Sequence, residues 1–90
     1  HAGILPNTPM DQQIEDDLIW IREGYLDYTA PHAKLIVHGH TAMETPTHFG
    51  NRVDLDGGAG YGRPLVPAVF DGTDCYTLTE GGRVPLLPLD

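Results

Sequence analysis

The sequence predicts an α+β domain, with one main helix near residues 11–21 followed by short, mostly antiparallel strands. The first observation is "MDQQIEDDLIWIREGYL", which carries apolar residues at 10, 14, 18, 21 and 25, the three-and-four spacing of one helical face. The second is a series of short runs of β-formers divided by turn signals. The third is the density of turn residues, 11 glycines and 8 prolines in 90 residues, which favours short elements. A helix followed by strands points to an α+β fold or to part of a layered α/β sandwich.

"HAGILPNTP" reads as a strand end running into a loop, because two prolines within four residues oppose a helix. Asp11 is the expected N-cap and Gly24 the expected stop of the helix that follows. Glu15, Asp16 and Asp17 near its start suit the helix dipole. "YLDYTAPHA" is a loop, and "KLIVHGH" is an apolar run ending in glycine, the pattern of a buried strand. "TAMETPTHFG" has little periodicity and reads as a loop. "NRVDLDGG" alternates, setting Val53 and Leu55 on one face and Arg52, Asp54 and Asp56 on a polar one. "LVPAVF" and "CYTLT" are strands joined at "DGTD", where Asp71-Gly72 signals a hairpin. "GGRVPLLPLD" is expected to trail as a tail.

Acidic residues outnumber lysine plus arginine by 13 to 5, for a net charge of −8. Such a surface repels phosphate backbones, so nucleic-acid binding is not expected. Cys75 is the single cysteine, which excludes an internal disulfide framework and fits a reducing, cytoplasmic setting. No apolar run reaches the roughly 20 residues of a membrane span, and no membrane partner is expected. The chain opens "HAGILP", with neither an initiator Met nor a polar start, so it reads as cut, processed or partly represented.

Candidate chemistry centres on histidines. His38 and His40 stand at i and i+2, which on a strand directs both side chains to one side, where they could share a metal. Gly39 and the end of the apolar run suggest that the backbone already turns at His40, and the alternative is a polar cap on a strand end. His1 sits at a second strand end, followed by small residues. Carboxylates are needed besides two imidazoles, and Asp54 and Asp56 qualify by type, although their pattern favours solvent exposure or turn capping. Arg22 is the lone Lys or Arg before Lys34; it suits a phosphate clamp, or a helix-end pair with Glu23 or Asp27. "GGAGYG" fails as a phosphate loop on spacing, with Arg63 where a glycine belongs, and reads as tight turns.

Taken in order, "HAG", "LIWIRE", "VHGHT" and "NRVDLDGGAGYGRPLVPAVF" resemble the C-terminal half of bacterial and phage serine/threonine protein phosphatases. These belong to the calcineurin-like metallophosphoesterase superfamily. The resemblance spans roughly residues 1–80 and implies that residues 1–90 form the C-terminal half of an αββα sandwich domain. His1 and His40 match two histidine ligands of one metal ion, whereas His38 falls where relatives vary. Arg22 matches an arginine that clamps the substrate phosphate. Asp56 and Gly58 match structural positions, and Tyr61 one near the substrate. Ala42 stands where the nuclease-like branch has a further ligand, which matches the protein-phosphatase branch.

The motifs "GDxHG", "GDxxDRG" and "GNHE" of the family's first half are not in these residues. For the intact domain the resemblance implies hydrolysis of phosphate monoesters on phosphoserine or phosphothreonine by a hydroxide bridging two divalent transition metals, with Mn favoured over Fe or Zn. Hydrolysis of dinucleoside polyphosphates and a non-catalytic metal-binding or interaction module are the alternatives. The expected partners are a phosphorylated protein or small phosphoester, together with the missing N-terminal half or a second copy, because half a sandwich leaves sheet edges uncovered. The 90 residues alone are expected to be inactive.

Overall fold

A computed structural model describes residues 1–89. One short helix, α1 (Glu15–Trp20), precedes two three-stranded sheets. The first sheet comprises β1 (Ile36–His38), β2 (Thr47–His48) and β3 (Arg52–Asp54) in the order β1-β3-β2. β1 runs parallel to β3, with His38 opposite Asp54, and β2 runs antiparallel to it. The second is an antiparallel meander of β4 (Ala68–Asp71), β5 (Asp74–Thr79) and β6 (Gly82–Pro85). The α+β expectation therefore holds at this level, with mostly antiparallel pairing.

The helix is shorter than its periodicity suggests. Met10–Gln12 forms a 3-10 turn, and Ile14 is extended, with φ −104° and ψ 151°, so α1 begins only at Glu15. The cause is Gln13, whose amide leaves the helix pattern to clamp the Pro-rich loop. It accepts from Leu5 N–H at 2.8 Å and donates to the carbonyls of Leu5 and Thr8 at 2.9 and 3.0 Å. Asp11 consequently caps nothing, and Ile14 takes the N-cap position without a side-chain bond. Glu15, Asp16 and Asp17 do occupy the first turn of α1. The helix ends at Trp20, ahead of Gly24, which instead turns the following loop at φ +81°. The apolar stripe is only partly buried: Tyr25 is inaccessible, whereas Met10 and Ile14 are 67% and 59% exposed.

Other expectations also change. Residues 1–5 form no strand, although Gly39 N–H donates to His1 C=O at 2.8 Å and Ala2 N–H to Leu18 C=O at 2.8 Å. β1 lies at a sheet edge, where Val37 is 46% exposed rather than buried. Thr47–His48, expected as loop, pairs with β3, and Gly82–Pro85, expected as tail, pairs with β5. The Asp71-Gly72 hairpin forms between β4 and β5, with Gly72 at φ +60°. Leu86 N–H bonds to Cys75 C=O, extending the meander, and Leu89 N–H bonds to His48 C=O, tying it to the first sheet.

The core is small: Ala2, Tyr25, Val53 and Cys75 are its buried hydrophobic members. Tyr25 packs directly on Gly3, where an added Cβ would collide with the ring. Replacing Gly3 with alanine should therefore lower stability by about 1–3 kcal/mol, the usual cost of overpacking. Equilibrium urea unfolding reads this as a lower midpoint for Gly3→Ala, and an unchanged midpoint would show that the Tyr25 contact does not constrain residue 3.

Candidate functional site

The backbone contacts of residues 1–3 decide where the first histidine lies. His1 C=O is held by Gly39, the residue between His38 and His40, so the chain start is pinned beside the end of β1. His40 then leaves the strand with φ +68°, and Thr41 N–H donates to Gly39 C=O at 2.7 Å, closing a γ-turn around it. A non-glycine residue held in this region costs on the order of 1–3 kcal/mol, and such residues concentrate at functional sites.

This turn swings His40 toward His1. His1 Nε2 and His40 Nδ1 are 3.2 Å apart, although 39 residues separate them in sequence. The rings meet edge to face, with centroids 4.9 Å apart. Arg22, two residues beyond α1, donates from Nε to His40 Nε2 at 3.3 Å. Trp20 at the end of α1 stands edge-on to His40 at 5.8 Å. Of the expected site residues, His1, His40 and Arg22 thus come together. A cleft of about 450 Å³ opens beside the two histidines, walled further by His38, Leu55, Asp56 and Leu65, and Arg22 does not line it. Tyr61 does not line it; the residue ends the 3-10 turn Ala59–Tyr61 and is 82% exposed.

His38 and His40 do not converge. His38 is buried, bonded at Nε2 to an Arg52 terminal nitrogen at 3.1 Å and at Nδ1 to Gly39 C=O at 3.0 Å. Arginine can only donate, so Nε2 accepts and Nδ1 carries the proton that Gly39 receives. Burial lowers the His38 pKa, partly offset by the Gly39 bond.

Asp54 and Asp56 build the turn behind the cleft. Asp54 Oδ1 accepts from Asp56 N–H at 2.9 Å, and Asp56 Oδ1 accepts from Gly58 N–H at 3.0 Å, two successive Asx turns. The expected solvent-facing polar strand is corrected, because Arg52, Val53 and Asp54 are all buried. Gly58, at φ +85°, lies against the Arg63 guanidinium, which in turn bonds Met43 C=O. The reading of "GGAGYG" as tight turns with close packing matches this geometry.

Two imidazole nitrogens at 3.2 Å suit neighbouring positions on one metal ion, given metal–nitrogen bonds of about 2.0–2.1 Å. The fit stops at that pair: among the described residues no group of three or more His, Cys, Asp or Glu could hold a metal. The residues missed by sequence reasoning are Arg52 and Tyr25, both buried behind the site. The rarity of basic residues, which drew attention to Arg22, applied equally to Arg52. Compared with family models, curated proteins and solved structures, the chain has no match.

Asp54 gives a pH signature. Burial, chiefly, pushes its carboxyl from 3.8 up to about 6; the Asp56 charge adds to this, while the Asp56 N–H and Arg52 oppose it. Between about pH 4 and pH 6 the folded chain keeps a proton that the unfolded chain has released, so this contribution declines as pH rises through the window. The shift corresponds to roughly 3 kcal/mol. His32, His38 and His48, lowered by burial, slope the opposite way, so the test is a difference. Asp54→Asn should gain stability relative to wild type as pH rises from about 4 to about 7, read by urea unfolding. A constant difference would contradict the buried, protonated carboxyl.

Proposed function

We propose that this chain supplies two histidine ligands of one metal ion, His1 and His40, and a phosphate-binding arginine, Arg22, to a metal-dependent phosphomonoesterase. The observation that carries the reading is the meeting of three segments distant in sequence at His40, whose Nδ1 lies 3.2 Å from His1 Nε2 and whose Nε2 lies 3.3 Å from Arg22 Nε. The proposed substrates are phosphoserine and phosphothreonine in proteins, the ion is Mn, with Fe or Zn as alternatives, and the setting is the cytoplasm. Remaining ligands come from a partner segment carrying the family's first-half motifs.

Neutral His40 accepts from Arg22 at Nε2, so its proton sits on Nδ1 and is shared with His1. In the tautomer that leaves Nδ1 free to ligate, Nε2 carries the proton and no longer accepts from Arg22. The guanidinium is then released toward the two oxygens of an incoming phosphate, which it matches bidentately. An ion held by His1 and His40 would supply Lewis-acid polarisation of the phosphoryl group. Arg22 offsets the negative charge that develops on the same group. A non-catalytic metal-binding or interaction module is the second reading, since the His1–His40 pair alone falls short of a catalytic ligand set.

Trp20 is the only tryptophan and lies against His40, so its fluorescence reports the site. Mn²⁺ should quench it weakly but saturably, His40→Ala should abolish the quenching, and Arg22→Met should retain it. With Mn²⁺ present, inorganic phosphate should bind wild type on the order of tenfold more tightly than Arg22→Met. The chain alone should not hydrolyse p-nitrophenyl phosphate, and turnover by a verified 90-residue chain would contradict the partial ligand set. Adding a segment with the missing motifs should restore hydrolysis, whereas metal binding without hydrolysis would favour the module.

A further inference from the structure

Arg52 is a buried cation, 6% exposed, with no part in the proposed chemistry. Burying a guanidinium is costly unless its donors are used. Two of its nitrogens are used on different segments: one donates to His38 Nε2 at 3.1 Å, the other to Leu26 C=O at 3.2 Å. Its plane lies over the Phe49 ring at 3.9 Å.

Both bonds lead to the site. On one side, His38 Nδ1–H donates to Gly39 C=O, the carbonyl that also closes the γ-turn around His40, while Gly39 N–H holds His1 C=O. On the other side, Leu26 N–H donates to Arg22 C=O at 2.9 Å, in the turn whose own carbonyl Arg52 holds. One side chain therefore stands at the root of hydrogen-bond chains reaching His1, His40 and Arg22.

We infer that Arg52 is the positioning residue of this site. With the Gly39 carbonyl it holds His38 in the Nδ1–H tautomer, so that the Gly39 peptide sets His40 against His1, and through Leu26 C=O it holds the turn that carries Arg22. A carboxylate at His38 Nε2 would favour the opposite tautomer, and an apolar residue there would leave the Gly39 carbonyl alone to hold it. The roles of the three site residues rest on the function proposed above, but the geometry does not.

The test is imidazole ¹⁵N NMR of the full chain without metal or substrate, so its outcome is separate from whether the protein hydrolyses phosphoesters. In wild type, His38 should be protonated on Nδ1; protonation on Nε2 overturns the inference whatever the variants do. In Arg52→Met the ¹⁵N shift of His38 Nε2 should move as that nitrogen loses its donor, and the nuclear Overhauser contacts of His40 with His1 and Trp20 should be lost. The Gly39 amide should also exchange on the order of tenfold faster, as expected for release of one such bond. Arg52→Lys, which can reach only one of the two acceptors, should restore the Nε2 shift or the Arg22 turn but not both. If Arg52→Met does not fold, the wild-type tautomer and the Arg52→Lys pattern decide the matter. A folded Arg52→Met with unchanged His1–His40–Trp20 contacts overturns the inference.

Discussion

The hydrogen bond from Gly39 N–H to His1 C=O, 2.8 Å long, is the contact on which the site depends. It draws the start of the chain to the free edge of β1, and the bond from Ala2 N–H to Leu18 C=O fastens the next residue to α1. Neither involves a side chain, so the backbone alone sets His1 between helix and sheet. Gly3 then lets Tyr25 pack directly onto the backbone, where any side chain at residue 3 would collide. With both ends so held, the γ-turn at His40 brings its imidazole to within 3.2 Å of that of His1.

Behind that junction the protein uses polar groups where a small domain would more often use apolar ones. His38, Arg52 and Asp54 are buried side by side on the first sheet, near Tyr25. Tyr25 Oη, Arg52 Nε and Asp54 Oδ2 are inaccessible and have no hydrogen-bond partner among the described residues. Unsatisfied buried groups each cost about 1–3 kcal/mol, so the arrangement sacrifices stability for fixed geometry. Large apolar side chains meanwhile remain outside, Met10, Trp20 and Leu65 among them, each at least 66% exposed.

Local chemistry was readable in the sequence. Asp71-Gly72 specifies its hairpin because only two residues and one positive φ are involved. The helix was readable in kind but not in length, because Gln13 follows tertiary acceptors on Leu5 and Thr8 rather than the helical period. β6 was obscured by Gly81, Gly82 and Pro85, which read as breakers; the glycines stand at the turn and Pro85 closes the strand. Alternation placed Asp54 and Arg52 toward water, since a period of two separates faces without revealing that both are covered. Residue type drew attention to His1 and His40, but their pairing is invisible to spacing and came only from the resemblance of short motifs. Arg52 lay in one of those motifs unrecognised, because its importance is a matter of which carbonyl and which imidazole it reaches.

The decisive property of the site is whether His1 and His40 ligate one ion. Crystals of the chain soaked in Mn²⁺ and measured at the manganese absorption edge address this directly. The account predicts one anomalous peak within bonding distance of both His1 Nε2 and His40 Nδ1, with the Arg22 guanidinium displaced from His40. A peak elsewhere, or none while the two imidazoles remain hydrogen-bonded to each other, would contradict it.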